Sequence, residues 1–271
     1  MPEPDLGPTA FARRYDAMMF DPRSRDVYGA SRFFNVGYWL PETRDQASAC
    51  DNLVARLMHP VPADIGRLLD VGCGCGAGTD AAKLLRPDAE VIGVNISERQ
   101  LRDCRDGAPE CRFALMDALS LGFGAGAFDC VISIEAAFHF RSRRAFLAEA
   151  FRVLRPGGHL VLSDILFRDP RWIGEWMVPL GNATATPDDY AALLEKLGFR
   201  DLSVTDATAP CWTAFCRARL EELHDRRAAG VIDGDAFAAQ AGYFANLMRR
   251  SLGHYLLVHA RKPFSTATSP R

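Results

Sequence analysis

The run Leu68-Leu69-Asp70-Val71-Gly72-Cys73-Gly74-Cys75-Gly76, followed by Ala77, decides how this chain folds. It reads as a buried strand that breaks into a tight turn and then enters a helix. Glycine suits such a turn because the backbone bends sharply and must leave room for a ligand lying against it. Gly72, Gly74 and Ala77 satisfy the G-x-G-x-x-G/A pattern of dinucleotide sites, which has low specificity by itself. Asp70 argues against that reading, since a carboxylate ahead of the turn would face the pyrophosphate and like charges repel. A cationic ammonium or sulfonium ligand fits it better.

Outward from this turn, short β-branched runs alternate with amphipathic segments, the signature of a parallel sheet covered on both faces. Strands are expected at 67–71, 90–94, 112–116, 128–134, 159–165, 202–208 and 254–260, with helices at 78–85, 98–106, 142–154 and 187–197. Pro156-Gly157-Gly158 reads as the stop of the third of these helices. Three pieces do not belong to a minimal sheet: 11–60, 167–180 and the mostly helical 209–252. All are rich in large apolar residues, and ligands of open α/β sheets sit beyond the carboxyl ends of the strands. These pieces are therefore candidates for a lid, with Tyr38, Trp39, Trp172 and Trp176 as candidate acceptor-binding residues. The competing reading for each aromatic is ordinary core packing. Residues 1–10 and 265–271 read as frayed tails.

With 48% hydrophobic residues in a chain of 271, a full core can be buried, and a single domain is expected over 1–271. A net charge of −2 gives no long-range attraction to nucleic acid or to an anionic membrane, so neither is an expected partner. No apolar run reaches the roughly 18 residues of a membrane span. The eight cysteines suit reduced thiols in the cytoplasm better than a disulfide framework, and Cys73 and Cys75 lack the spacing of a zinc site. The expected partner is a small-molecule acceptor, and the sequence is compatible with a homo-oligomer.

Three features join the turn to a family. The glycines are spaced Gly72-x-Gly74-x-Gly76; Phe113-Ala114-Leu115-Met116-Asp117-Ala118 ends a strand in an acid; and Phe128-Asp129-Cys130-Val131-Ile132-Ser133-Ile134-Glu135 follows. Together with Val153-Leu154-Arg155-Pro156-Gly157-Gly158 they resemble the class I S-adenosylmethionine-dependent methyltransferases over about 65–165. A looser likeness lies at Phe34-Asn35-Val36-Gly37-Tyr38-Trp39. Within that family the chain looks most like bacterial natural-product and sugar O-methyltransferases, with kinship to phosphoethanolamine and sarcosine methyltransferases. The resemblance implies an α/β fold, a Rossmann-like seven-stranded, mostly parallel sheet with helices on both faces and helical N-terminal and C-terminal lid segments. It divides the chain into a helical cap at 11–60, a core at 65–208, and a helical insertion with the last strand at 209–262. It implies S-adenosylmethionine as cofactor. Asp70, Gly72, Gly74 and Gly76 would hold its methionine part, Asn95 its ribose hydroxyls, Ile96 and Gln100 the adenine and ribose sides, and Asp117 with Ala118 the adenine amino group. Asn95 departs from the acid usual at that position, though an amide can accept from one hydroxyl and donate to another. Asp117 also fits a helix N-cap, and Glu135 a cofactor contact or a turn.

Methyl transfer to an alcohol requires alignment, exclusion of water and a place for the hydroxyl proton. His139, just beyond the fourth expected strand, is the candidate base or positioning group, and the rate should rise near neutrality as an imidazole deprotonates. Asp164 is the candidate that orients it or takes the proton itself. No metal is expected, because Asp164 is followed by Ile165 and not by the Asn of a metal-assisted pair. No phosphate-binding G-x-x-x-x-G-K-[ST] loop occurs. The competing functions are N- or C-methylation, an NAD(P)-dependent oxidoreductase, and a cofactor-binding protein that transfers nothing.

Overall fold

The computed structural model describes residues 7–28, 31–179, 182 and 186–264. One seven-stranded sheet has the order β3-β2-β1-β4-β5-β7-β6. Its strands are β1 (Arg67–Val71), β2 (Glu90–Asn95), β3 (Arg112–Leu115), β4 (Phe128–Ile134), β5 (Leu154–Phe167), β6 (Arg200–Asp206) and β7 (Leu252–Arg261). All neighbours are parallel except those of β7, which pairs antiparallel with β5 and β6. The chain winds outward from β1 to β3 and then returns to place β4 on the other side of β1. That reversal opens a crevice at the carboxyl ends of β1 and β4, where open α/β sheets bind ligands.

Nine α-helices are seen among the described residues: α1 (Pro8–Met19), α2 (Pro22–Tyr28), α3 (Gln46–Met58), α4 (Ala77–Leu85), α5 (Glu98–Gly107), α6 (Arg143–Val153), α7 (Pro187–Lys196), α8 (Ala214–Ala228) and α9 (Gly234–Asn246). Side-chain oxygens of Asp45, Ser97, Ser142 and Thr186 accept backbone N–H groups at the starts of α3, α5, α6 and α7. Each such cap satisfies a donor the helix cannot, worth about 1 kcal/mol. Alternation along the strands separates two cores. Leu68, Val161 and Ile165 face α3 and the insertion that carries α8 and α9, while Leu69, Leu160 and Leu162 face α6 and α7.

Two expectations about boundaries are corrected. β5 begins at Leu154, ahead of Pro156-Gly157-Gly158: Leu154 pairs with Phe128, and the Gly157 N–H donates to the Lys262 carbonyl at 2.8 Å. The chain end beyond β7 thus supplies the partner that keeps this segment in the sheet. At the other terminus α1 already starts at Pro8, inside the expected tail, whereas 1–6 and 265–271 lie outside the described residues.

Candidate active site

A cavity of about 770 Å³ lies over the carboxyl ends of β1, β2 and β4. Of the ten cofactor-binding candidates, Asp70, Gly72, Gly74, Asn95, Ile96, Gln100, Asp117, Ala118 and Glu135 line it. Gly76 is the exception. It starts α4 at φ +83° with Cys104 packed against it, so it serves the entry to the helix and not the cavity wall. Gly74, at φ +55°, is the cradle: a Cβ built there meets no atom within 4 Å and would stand in open space. Gly72 answers a different need, since a Cβ there would lie 2.6 Å from that of Ala136.

Charge in this cavity is set by burial. Asp70 is enclosed, which pushes its carboxyl up to about 6, while the Thr79 hydroxyl, donating at 2.6 Å, opposes the rise. A cationic ligand beside it would restore the carboxylate. The Asn95 amide, expected at the ribose hydroxyls, already has partners within the protein. Its Oδ1 accepts from Ile96 N at 2.7 Å, and its Nδ2 donates to the Gly74 carbonyl at 3.2 Å and to Gln100 Oε1 at 2.8 Å. The amide is spent tying the β2 turn to the glycine turn. Asp117 likewise holds its own turn, accepting from Leu119 N at 2.9 Å and pairing with Arg141 at 3.2 Å.

Helix α1 roofs the cavity through Phe11, Ala12, Tyr15 and Met19. It is latched to the core by Asp16, which accepts from Ser97 Oγ at 2.8 Å and from Gln100 Nε2 at 2.6 Å. Sequence reasoning passed over Phe11 and Tyr15. Their spacing with Met19, four residues each, marks one helix face and was the available signal.

A second cavity, about 890 Å³, opens between α1, α2, α8 and α9, and Tyr15, Phe34, Glu135 and His139 line both. Glu135 sits in a left-handed backbone at φ +48°. Its Oε1 accepts from Val36 N at 2.9 Å and from the Tyr255 hydroxyl at 2.7 Å. Burial pushes its carboxyl up to about 7 against those two donors. His139 ends a short turn, Ala137–His139, immediately beyond β4. Its Nδ1 lies 2.9 Å from the Met177 carbonyl. A carbonyl only accepts, so Nδ1 carries the hydrogen and Nε2 is left as an acceptor. The imidazole borders cavity space but is walled by Phe138 at 3.9 Å and Tyr15 at 4.9 Å between ring centres. Desolvation there pushes it down to about 4, and the Met177 bond only partly offsets this.

Asp164 does not join this group, and the expectation that it orients His139 is corrected. Pleating puts it on the face opposite Ile165, which lines the second cavity. There Asp164 is fully buried, with Arg143 Nε at 2.6 Å, the Tyr190 hydroxyl at 2.9 Å and Ile165 N at 2.8 Å. Tyr38, Trp39 and Trp172 line neither cavity. Tyr38 and Trp39 are bonded through backbone N–H groups to Ala49 and Pro210, and Trp172 packs beneath Arg250. Trp176 lines the first cavity, beside Phe11 and under Arg14, and not the second. Among the described residues no three His, Cys, Asp or Glu side chains are placed to hold a metal ion.

Replacing Gly74 by valine should abolish S-adenosylmethionine binding in calorimetry. The branched side chain would fill the cradle and sit at positive φ, costing about 1–3 kcal/mol of stability. Undiminished affinity would place the ligand elsewhere.

Residues 69–162 match the family described as methyltransferase domain. The 27-O-demethylrifamycin SV methyltransferase of Amycolatopsis mediterranei is 31% identical over 94% of this chain and 98% of its own. The erythromycin 3''-O-methyltransferase of Saccharopolyspora erythraea is 29% identical over 79% and 78%. Among solved structures, the 4+2 cyclase SpnF superposes with a TM-score of 0.72 at 24% identity, covering 97% of this chain and 99% of that one. That last likeness concerns the fold alone. With the glycine turn, the buried acid before it and a relative 31% identical along nearly its whole length, the chain belongs to the class I methyltransferases that use S-adenosylmethionine as cofactor.

Proposed function

We propose that this enzyme transfers the methyl group to a hydroxyl of a small natural product, with the cofactor in the first cavity and the acceptor in the second. The observation that carries the reading is His139, whose Nε2 is an acceptor on the wall common to both cavities. The cofactor, when bound, supplies an electrophilic methyl group on a sulfonium. Asp70 and the Gly72–Gly74 backbone hold it, α1 excludes water from it, and Ile96 and Ala118 provide apolar wall. At the junction, His139 Nε2 accepts the hydrogen of the acceptor hydroxyl, which raises the nucleophilicity of the oxygen as the new bond forms.

Both curated relatives named above carry, in their names, methylation of an oxygen on a natural product. The eight thiols, all free, are compatible with work in the cytoplasm. No helix among the described residues is long and apolar enough to cross a membrane. The purified chain, given methyl-labelled S-adenosylmethionine and a panel of hydroxylated natural products that includes 27-O-demethylrifamycin SV, should yield a methyl ether identified by mass spectrometry. Label found on nitrogen or carbon would overturn the hydroxyl assignment.

A further inference from the structure

The second cavity changes character from one end to the other. Its inner end holds Tyr15, Glu135 and His139. From His139 an unbroken series of rings runs outward: Phe138 at 3.9 Å, then Phe167 at 5.3 Å, then Trp212 at 5.9 Å. Beyond Trp212 one stripe of α8 forms the wall, with Phe215, Arg219, Glu222, Leu223 and Arg226 at helical spacing. At 1.5 Å per residue, Phe215 and Arg226 stand about 16 Å apart along the helix. The space is therefore long, polar at its inner end, apolar in the middle and ionic at its outer end.

The ions at that outer end are not equivalent. The Arg219 guanidinium is engaged, donating to the Val27 carbonyl at 2.8 Å and pairing with Glu222 at 2.7 Å. Asp21, which borders the same cavity, has a partner of its own. The Arg226 guanidinium has neither ion pair nor hydrogen bond among the described residues, although the residue is partly buried at the cavity wall. A cation partly shielded from water beside an apolar space is well placed to meet an anion, and a guanidinium meets a carboxylate with two parallel N–H bonds.

We propose that this cavity selects an elongated acceptor, with its reacting hydroxyl at the His139 end, an apolar body along α8, and a carboxylate at the far end held by Arg226. The inference rests on the reading that the acceptor occupies this cavity, and it excludes compact polar acceptors such as a free sugar. Two probes long enough to pass from the His139 end well along α8 differ only in the distal group: 16-hydroxyhexadecanoate and 1,16-hexadecanediol. Binding is followed by tryptophan fluorescence, Trp212 being in the wall, with S-adenosylhomocysteine present. The hydroxy acid should bind about tenfold more tightly than the diol, the size of one charge-assisted hydrogen bond. Arg226→Gln should erase that preference while leaving the diol affinity unchanged, which also certifies the fold of the variant. Arg226→Lys should keep part of it, since the charge stays and the fork is lost. Equal binding of acid and diol by the parent, or a preference that survives in Arg226→Gln, would overturn the proposal while leaving the acceptor cavity in place. If neither probe binds, the acceptor cavity itself is wrong and the inference falls with it.

Discussion

Asp164→Ala should lower the stability of the fold by about 3–5 kcal/mol, measured by urea unfolding, because it removes the carboxylate of a buried ion pair from the Arg143 guanidinium. Arg143 is 2% exposed; besides Asp164, its guanidinium donates to the carbonyl oxygens of Asn182 at 2.6 Å and Ile165 at 3.3 Å and lies over the Tyr190 ring at 5.6 Å. None of these can neutralise a charge. The Tyr190 hydroxyl would lose its acceptor as well. Asp164→Asn keeps the volume and one acceptor oxygen and should cost less, while still removing the carboxylate charge beside Arg143. In both variants the protein that remains folded should bind S-adenosylmethionine like the parent. A marked loss of turnover per folded molecule, at unchanged stability, would return Asp164 to the catalytic group from which the pleat removes it.

His139→Ala should reduce turnover by about a hundredfold to ten-thousandfold with cofactor affinity intact, the range of general-base catalysis. Its pH dependence is where the structure revises the sequence-based expectation. An imidazole pushed down to about 4 is already neutral at pH 6, so its limb lies near pH 4 and not near neutrality. A limb close to pH 7 is expected to belong to Glu135, raised to about 7, and Glu135→Gln should remove it while His139→Ala leaves it in place. If the alanine variant keeps most of the parent turnover, His139 only packs the junction, and an acceptor that needs no base, such as a neutral amine, gains ground.

The glycine turn was legible because it is local: three glycines at positive φ and the strand before them follow from steric requirements a few residues wide. The middle of the sheet was legible because β1, β2, β4 and the body of β5 are buried on both faces and read as apolar runs. Asp164 was not. It follows Ser163, so two polar neighbours break the alternation that would show which one faces the cavities, and only the register with Leu256 across β7 fixes the answer. Tyr38 and Trp39 misled for a related reason, since aromatic content says that a residue will be covered but not by what. Trp39 is fastened by its ring N–H to the Val36 carbonyl at 2.9 Å, an arrangement that composition cannot reveal. Tyr15 was missed because the partner of its helix face, His139, comes from the far side of the glycine turn and meets it only in the fold.

Helix α1 gives side chains to both cavities: Phe11, Ala12 and Met19 to the first, Met18 to the second, and Tyr15 to both. If the two cavities take cofactor and acceptor as proposed, its placement is a variable shared by two binding equilibria, with the Asp16 bonds to Ser97 and Gln100 favouring one value of it. Thermodynamic linkage then permits no one-way influence. By whatever factor the docked helix makes cofactor binding tighten the acceptor, the acceptor must tighten the cofactor by the same factor. A substitution that loosens α1, even one touching neither ligand, would weaken this mutual reinforcement along with each affinity taken alone.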